Sequence, residues 1–167
     1  MNVAGYIYES VCDGEGLRNV IFISGCKHKC EGCFNKQTWD FNHGHSLTMD
    51  EFKIFCDKTK HVAIDGITLS GGDPMYSYES LIPYLQYYKE EVGKSVWMYT
   101  GFTWEEILDS DMKDILPYID VLVDGLYKAG CKLLIYELRG SSNQRIIKVQ
   151  ESLKSGEIEI WKDGFNV

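Results

Sequence analysis

Three cysteines fall within eight residues, at Cys26, Cys30 and Cys33, directly after the run Asn19 to Ser24 (NVIFIS). That run is short, apolar and β-branched and ends at Gly25, which predicts a buried strand. A thiol loop at the end of a buried strand constrains the fold strongly, because such a loop needs a rigid sheet to hold it. Three and then two residues separate the sulfurs, so one short loop wraps them round a single inorganic core. A cube of four irons normally takes four thiolates, and three protein ligands leave one iron open. Gly25 and Gly32 allow the tight turns that such wrapping demands.

The rival metal reading is a structural zinc site, with His28, His43 or His45 completing a tetrahedron on the same cysteines. Zinc ligands usually come as two separated pairs, and the chain has no second Cys-x-x-Cys pair. The flanking Lys27, His28, Lys29 and Glu31 make the loop polar, which argues against three cysteines that are merely buried. Cys12, Cys56 and Cys131 stand alone. Cys56 falls on the apolar face of a predicted helix, where it packs as a small hydrophobe.

Beyond the loop, strand and helix patterns alternate. Thr48 to Thr59 reads as a helix with capping-box spacing between Thr48 and Glu51. Gly66 to Gly71 (GITLSG) reads as a strand. A helix is expected from about Ser80 to Glu91, with Ser80 as its cap, Pro83 in its first turn and Gly93 as its stop. Ser95 to Thr100 is the next strand, and Thr103 with Glu106 opens a short helix. Ile119 to Val123 is a strand before Asp124-Gly125, and Arg145 to Lys162 reads as two strands around Lys154-Ser155-Gly156. Such alternation predicts an α/β chain with a parallel sheet under crossover helices. Ligands gather at the carboxyl ends of such strands. Cys26 to Cys33, Gly71 to Pro74 and Asp124 all stand at those ends.

The net charge of −8 over 167 residues argues against general nucleic-acid binding, which needs a basic surface. No apolar run approaches the roughly 20 residues that span a bilayer. The N-terminus lacks a basic start and an apolar stretch, so no signal peptide is expected and the chain reads as cytoplasmic. In that compartment thiols stay reduced, and six cysteines point to metal or redox chemistry.

On these motifs the chain resembles the radical S-adenosylmethionine superfamily, whose signature is a Cys-x-x-x-Cys-x-x-Cys loop after the first barrel strand. More narrowly it looks like the activases of anaerobic (class III) ribonucleoside-triphosphate reductase. The stretches that carry this are DGEGLRNVIFISGCKHKCEGCFNKQTW, LSGGDP, YTG, DVLVDG and RGSSNQR. The resemblance implies an α/β, partial, open (βα) barrel forming a single domain over residues 1–167, least supported from about residue 126 onward. It also implies a 4Fe–4S cluster on Cys26, Cys30 and Cys33, and S-adenosylmethionine as cofactor. The activity implied is an oxidoreductase that cleaves this cofactor reductively and installs a glycyl radical on the large reductase subunit. A flavodoxin-like protein would donate the electron, and no side chain acts beyond the cluster and cofactor. A pyruvate formate-lyase-type activase or a small-molecule radical enzyme is the near alternative. A zinc-stabilised interaction module without catalysis is the distant one.

Residue by residue, the resemblance places Gly32, Cys33 and Phe34 beside the cofactor, with Phe34 taking the adenine contact. Gly32 stands where the superfamily often has an aromatic residue. Gly71 and Gly72 would bring backbone carbonyls to the cofactor's ammonium, and Asp73, kept extended by Pro74, would add negative charge. Asp124 reads as a cofactor contact, as part of the partner groove or as a turn-forming Asp-Gly. Gly14, Gly16 and Arg18 read as a lip over the site, with Glu15 where activases commonly carry proline; Arg18 alone reads as a surface salt bridge. Arg139 to Arg145 reads as a cofactor or partner contact or as a solvated loop. Lys128 to Leu138 matches poorly and transfers nothing. Lys27, His28, Lys29 and Lys36 form a basic loop that suits an acidic electron donor, or simply a hydrated face.

Overall fold

The computed structural model describes residues 1–133 and 137–162. The chain opens with β1 (Asn2–Ser10), which turns back antiparallel onto β2 (Arg18–Ile23). A two-residue strand, β3 (His45–Ser46), pairs on the far side of β1. Then α1 (Met49–Thr59) crosses to β4 (Gly66–Gly71), α2 (Tyr78–Glu91) to β5 (Ser95–Tyr99), and α3 (Trp104–Leu108) with a following 3-10 turn to β6 (Val121–Asp124). The strands β2, β4, β5 and β6 run parallel. An antiparallel β7 (Arg145–Lys148) closes that side, followed by α4 (Val149–Ser155). The order β3-β1-β2-β4-β5-β6-β7 leaves the sheet open. This is the expected α/β fold, a largely parallel open sheet of the partial-barrel kind.

Side chains alternate across a strand, and the register turns that alternation into two cores. Ile21, Leu69, Met98 and Leu122 stand in one row across the four parallel strands, each at most 1% exposed. Phe52 and Phe55 of α1, Leu81 and Leu85 of α2 and Ile107 of α3 cover that row. Burying each such side chain contributes about 1.5–3 kcal/mol. On the opposite face Trp97, Val121, Val123 and Ile146 form a smaller cluster against Tyr99, Leu138 and Trp161. That face carries loops in place of helices, and Trp97, Tyr99 and Trp161 on it border cavities.

Several local expectations shift. Thr48 caps α1 by accepting from the Glu51 N–H at 3.2 Å, but the Glu51 carboxylate turns to Tyr6 and His45, so the box is half formed. The second helix starts at Tyr78, after Ser77, and Ser80 is not its cap. A 3-10 turn at Pro74–Ser77, capped by Asp73, leads straight into it and leaves Pro83 inside the helix. The tail is not two strands. β7 passes directly into α4, Gly156 ends that helix in the left-handed conformation, and Glu159 to Trp161 return beside β7, with an isolated bridge from Ile160 to Ile147. Helix α4 forms because Val149 and Ser152 face inward three residues apart, a helical spacing that a strand would split between faces. The strand β1 escaped the pattern because register shifts at Val3/Gly5 and Ile7/Ser10 break its alternation.

Arg18 is the largest departure. It is 1% exposed, a buried cation and not a surface one. Its guanidinium donates to Thr68 Oγ1 (2.8 Å), the Ile67 carbonyl (2.6 Å), both oxygens of Ser95 and the Glu15 carbonyl. These partners lie at or near the amino ends of the parallel strands, away from the thiols. Burial pulls its pKa down to about 10. Arg18→Met, which leaves those acceptors unpaired, should cost about 3 kcal/mol in urea unfolding with an unchanged m-value.

Candidate active site

The cysteine loop leaves β2 at Ser24 and is pinned at once by backbone bonds. Gly25 N–H donates to Thr38 O at 2.7 Å, and Cys26 N–H to Trp39 O at 3.1 Å. The turn after β4 is stitched to the same start, with Gly72 N–H on Ile23 O (2.8 Å) and Asp73 N–H on Gly25 O (2.9 Å). That approach needs glycine. Gly71 has φ +112°, and a Cβ there would stand 2.4 Å from Ile23 O; one on Gly72 would stand 2.6 Å from Gly25 O. So these two glycines let the exits of β2 and β4 meet, in addition to baring backbone to the cavity.

Asp73 joins three loops. It is 1% exposed, and its Oδ1 accepts from Met75 N–H at 3.0 Å. Its Oδ2 accepts from the Thr100 hydroxyl (3.0 Å) and the Gly101 N–H (2.9 Å), with His28 Nε2 at 2.9 Å. His28 comes from the cysteine loop and packs edge-on against Phe102 at 4.7 Å and tilted against Tyr76 at 5.3 Å. One carboxylate thus fastens the cysteine loop to the exits of β4 and β5.

A cavity of about 120 Å³ lies between these exits, lined by Cys26, Cys30, Cys33, Gly71, Gly72, Asp73, Gly125, Tyr127 and Gln144. Cys33, Tyr99, Tyr127 and Gln144 also border a groove of about 410 Å³ that holds Cys12, Asp13 and Phe34. Phe34 is 64% exposed at the mouth, its ring 5.3 Å from Tyr127 and 5.1 Å from Lys132 Nζ. Gly32 lies under the same tyrosine. The structure therefore brings the cysteines, Gly32, Phe34 and Gly71 to Asp73 together. Asp124 is not among the residues that line this cavity. Its carboxylate accepts from Trp104 N–H at 2.8 Å and from Arg145, which forks onward to Glu105 at 2.8 and 3.0 Å.

The donors suit a sulfur-ligated cluster. All six cysteines are free thiols, and three of them share the cavity wall. Burial pushes the Cys26 thiol up to about 11 and raises Cys30. Metal binding must therefore release their protons. Of the histidines weighed for zinc, His28 is held by Asp73 and His45 by Glu51 at 2.7 Å. Asn35, which sequence reasoning passed over, ties the loop to the turn: its N–H donates to Cys33 Sγ and its Nδ2 to Gly71 O, both at 3.4 Å. Its place directly after Cys33-Phe34 was the available signal.

Comparison with known proteins agrees with this geometry. Residues 12–147 match the family model of the 4Fe-4S single cluster domain. The anaerobic ribonucleoside-triphosphate reductase-activating protein of Vibrio cholerae is 41% identical over 151 residues, 87% of this chain and 97% of the relative. The chain belongs to the anaerobic ribonucleoside-triphosphate reductase-activating protein family. Members from Enterobacteria phage T4 (39% identical, 81% of this chain and 88% of the relative) and Escherichia coli K12 (36%, 86% and 96%) agree. The span matched to the cluster-domain model holds the cysteine loop, the Gly71–Asp73 turn and the Arg139–Arg145 segment, while β1 and α4 lie outside it.

Asp73→Asn keeps the size but offers one acceptor where two oxygens now serve four partners. It should cost about 2 kcal/mol in urea unfolding and raise amide exchange at Gly101. Arg145 holds the Glu105 carboxyl down at about 2, below its usual 4.5. Its contribution is complete above about pH 4.5 and is lost as pH falls through 2. Since Glu105 is half exposed the effect is screened, and Glu105→Gln should flatten this acid limb of stability only slightly.

Proposed function

We propose that this chain activates an anaerobic ribonucleoside-triphosphate reductase by installing a glycyl radical on its large subunit. The supporting observation is the convergence of three thiols and the Gly71–Asp73 turn on one cavity, in a chain of this family. When bound, the 4Fe–4S cluster and S-adenosylmethionine supply a one-electron cleavage whose outcome is removal of a hydrogen atom from the partner's glycine. Cys26, Cys30 and Cys33 would hold the cluster as thiolates, one ligand fewer than its four irons. The bared backbone of Gly71 and Gly72 lines the cavity and would receive the ammonium of the cofactor's methionine moiety. Asp73 adds charge at that end while holding the loops together. Phe34, with Gly32 and Tyr127 beside it, offers the adenine a ring at the mouth. Asp124, engaged by Arg145 and Trp104, orients α3 and the Gly125 turn behind the cavity.

The groove beyond Cys33 is open, which suits a protein substrate whose own segment completes the enclosure and excludes water. Lys27, Lys29 and Lys36 are exposed beside the thiols on a chain of net charge −8. Such a local patch favours docking of an acidic, flavodoxin-like electron donor. No helix among the described residues is long and apolar enough to cross a membrane. The protein works as one radical S-adenosylmethionine domain in the cytoplasm, where its free thiols persist.

Anaerobic reconstitution should load four irons per chain, in line with the cluster-domain match. Alanine at Cys26, Cys30 or Cys33 should abolish the 4Fe–4S spectrum, and alanine at Cys12, Cys56 or Cys131 should spare it. With S-adenosylmethionine, a reductant and the reductase, paramagnetic resonance should reveal a glycyl radical doublet. An intact reduced cluster that never yields this doublet overturns the substrate assignment.

A further inference from the structure

The exit of β5 is shaped to hold one side chain of the cysteine loop. His28 stands midway between Cys26 and Cys30, and its side chain is 15% exposed. Its Nε2 lies 2.9 Å from Asp73 Oδ2, and since a carboxylate only accepts, this nitrogen carries the hydrogen. Phe102 meets the ring edge-on at 4.7 Å and Tyr76 meets it tilted at 5.3 Å, while those two aromatics contact one another at 5.1 Å. The floor is Gly101, where a Cβ would stand 2.6 Å from His28 Cδ2 and 2.7 Å from Nε2. Gly101 does not have a positive φ, so the atoms that most exclude a side chain there are those of the imidazole. The wall is fixed from behind, with Phe102 N–H on Thr100 Oγ1 (3.2 Å) and Gly125 N–H on the Phe102 carbonyl (3.0 Å). Directly after His28, Lys29 takes φ +51°, a left-handed conformation that a residue with a side chain keeps only when its surroundings enforce it.

We propose that His28 is a positioning residue, a plug whose seat on Asp73, Gly101, Phe102 and Tyr76 holds the curl of the loop between Cys26 and Cys30 and so presets the thiols for the metal cluster. The proposal rests on the cluster assignment made above. A loop that carries three ligands in eight residues opens freely unless something between the ligands ties it down. Backbone bonds of Gly25 and Cys26 tie its start, and Asn35 ties its end. His28 supplies a side-chain anchor between them. Cys26 and Cys30 lie two residues to either side of it, so a displaced ring carries both sulfurs with it. The YTG stretch then has a task of its own. Thr100 and Gly101 fix the carboxylate through a hydroxyl and an N–H, and Gly101 leaves room for the plug.

The test is a double-variant cycle on the reconstituted full-length protein, read as the rate of iron release to excess chelator. Its members are wild type, His28→Ala, Gly101→Ala and the pair together. Gly101→Ala leaves the cysteine loop unaltered and keeps the N–H that Asp73 uses, but it fills the seat. Losing the support of a metal ligand typically costs about ten- to a hundredfold in metal retention, so each single variant should release iron about tenfold faster than wild type. The pair should be no faster than His28→Ala, because an empty seat accepts the added methyl group. His28→Gln, which keeps an N–H for Asp73, should stay near the wild-type rate. In the metal-free protein, amide exchange at Lys29 and Cys30 should quicken in both alanine variants, with exchange in β4 unchanged. Should Gly101→Ala fail to fold, Phe102→Leu takes its place in the cycle. Three results each overturn this proposal and leave the functional reading standing. One is a pair whose effects multiply to about a hundredfold. Another is His28→Ala protein that keeps its iron and its loop protection as wild type does. The third is His28→Gln protein that loses iron as fast as His28→Ala. A wild type that assembles no four-iron cluster overturns the functional reading and this proposal with it.

Discussion

A single buried carboxylate organises the functional end of this molecule. Asp73 meets the cysteine loop through His28, the β5 exit through Thr100 and Gly101, and its own turn through Met75. Each of those segments leaves a different place in the sheet, and each carries part of the cavity wall. Burying an ionised carboxylate is costly unless its oxygens are paired, and here every partner also fixes a loop. The cost of desolvation thereby becomes a geometric constraint. With Asp73 in place, the thiols have one arrangement relative to Gly71 and Gly72. Without it, the cysteine loop and the β4 exit would keep their backbone bonds and the Asn35 contact to Gly71, but the carboxylate's tie to the β5 exit through Thr100 and Gly101 would be lost.

The sheet makes this possible by being finished on one side only. Helices seal the face that carries Ile21, Leu69, Met98 and Leu122, and that face supplies most of the burial. The other face keeps a small cluster around Trp97 and Val123, roofed by loops. A fold that spends its helices on one face leaves the second open to cavities. Arg18 serves the opposite end in a comparable way, closing the amino ends of β2, β4 and β5 with neutral acceptors alone. A cation held by carbonyls and hydroxyls fixes strand spacing without drawing another carboxylate into the core.

Much of this was legible beforehand. The bounds of β4 were read to the residue, since Gly66 and Gly71 punctuate a β-branched run at both ends. The capping box of Thr103 and Glu106 formed as its spacing required. Where reading failed, a local signal had been overridden. Bulges near Gly5 and Glu9 hid β1, and the strand pattern assumed for the tail gave way to α4 because Val149 and Ser152 are drawn to the same buried face. Arg18 looked like an exposed cation because its five acceptors are scattered from Glu15 to Ser95. Nothing in a one-dimensional window assembles them.

By itself, the sequence determined the chemistry on offer: three thiols at fixed spacing after a strand, two glycines at the end of the next strand, and an alternation that builds a parallel sheet. These follow from covalent spacing and local conformational preference, which act over a few residues. Only the tertiary structure decided which polar side chains border the cavity and what each of them bonds within the protein. Asp73, Asp124, Asn143 and Gln144 are equally plausible contacts on paper. Their partners lie across the sheet or in other loops, so their hydrogen bonds exist only after the chain has folded and water has been removed.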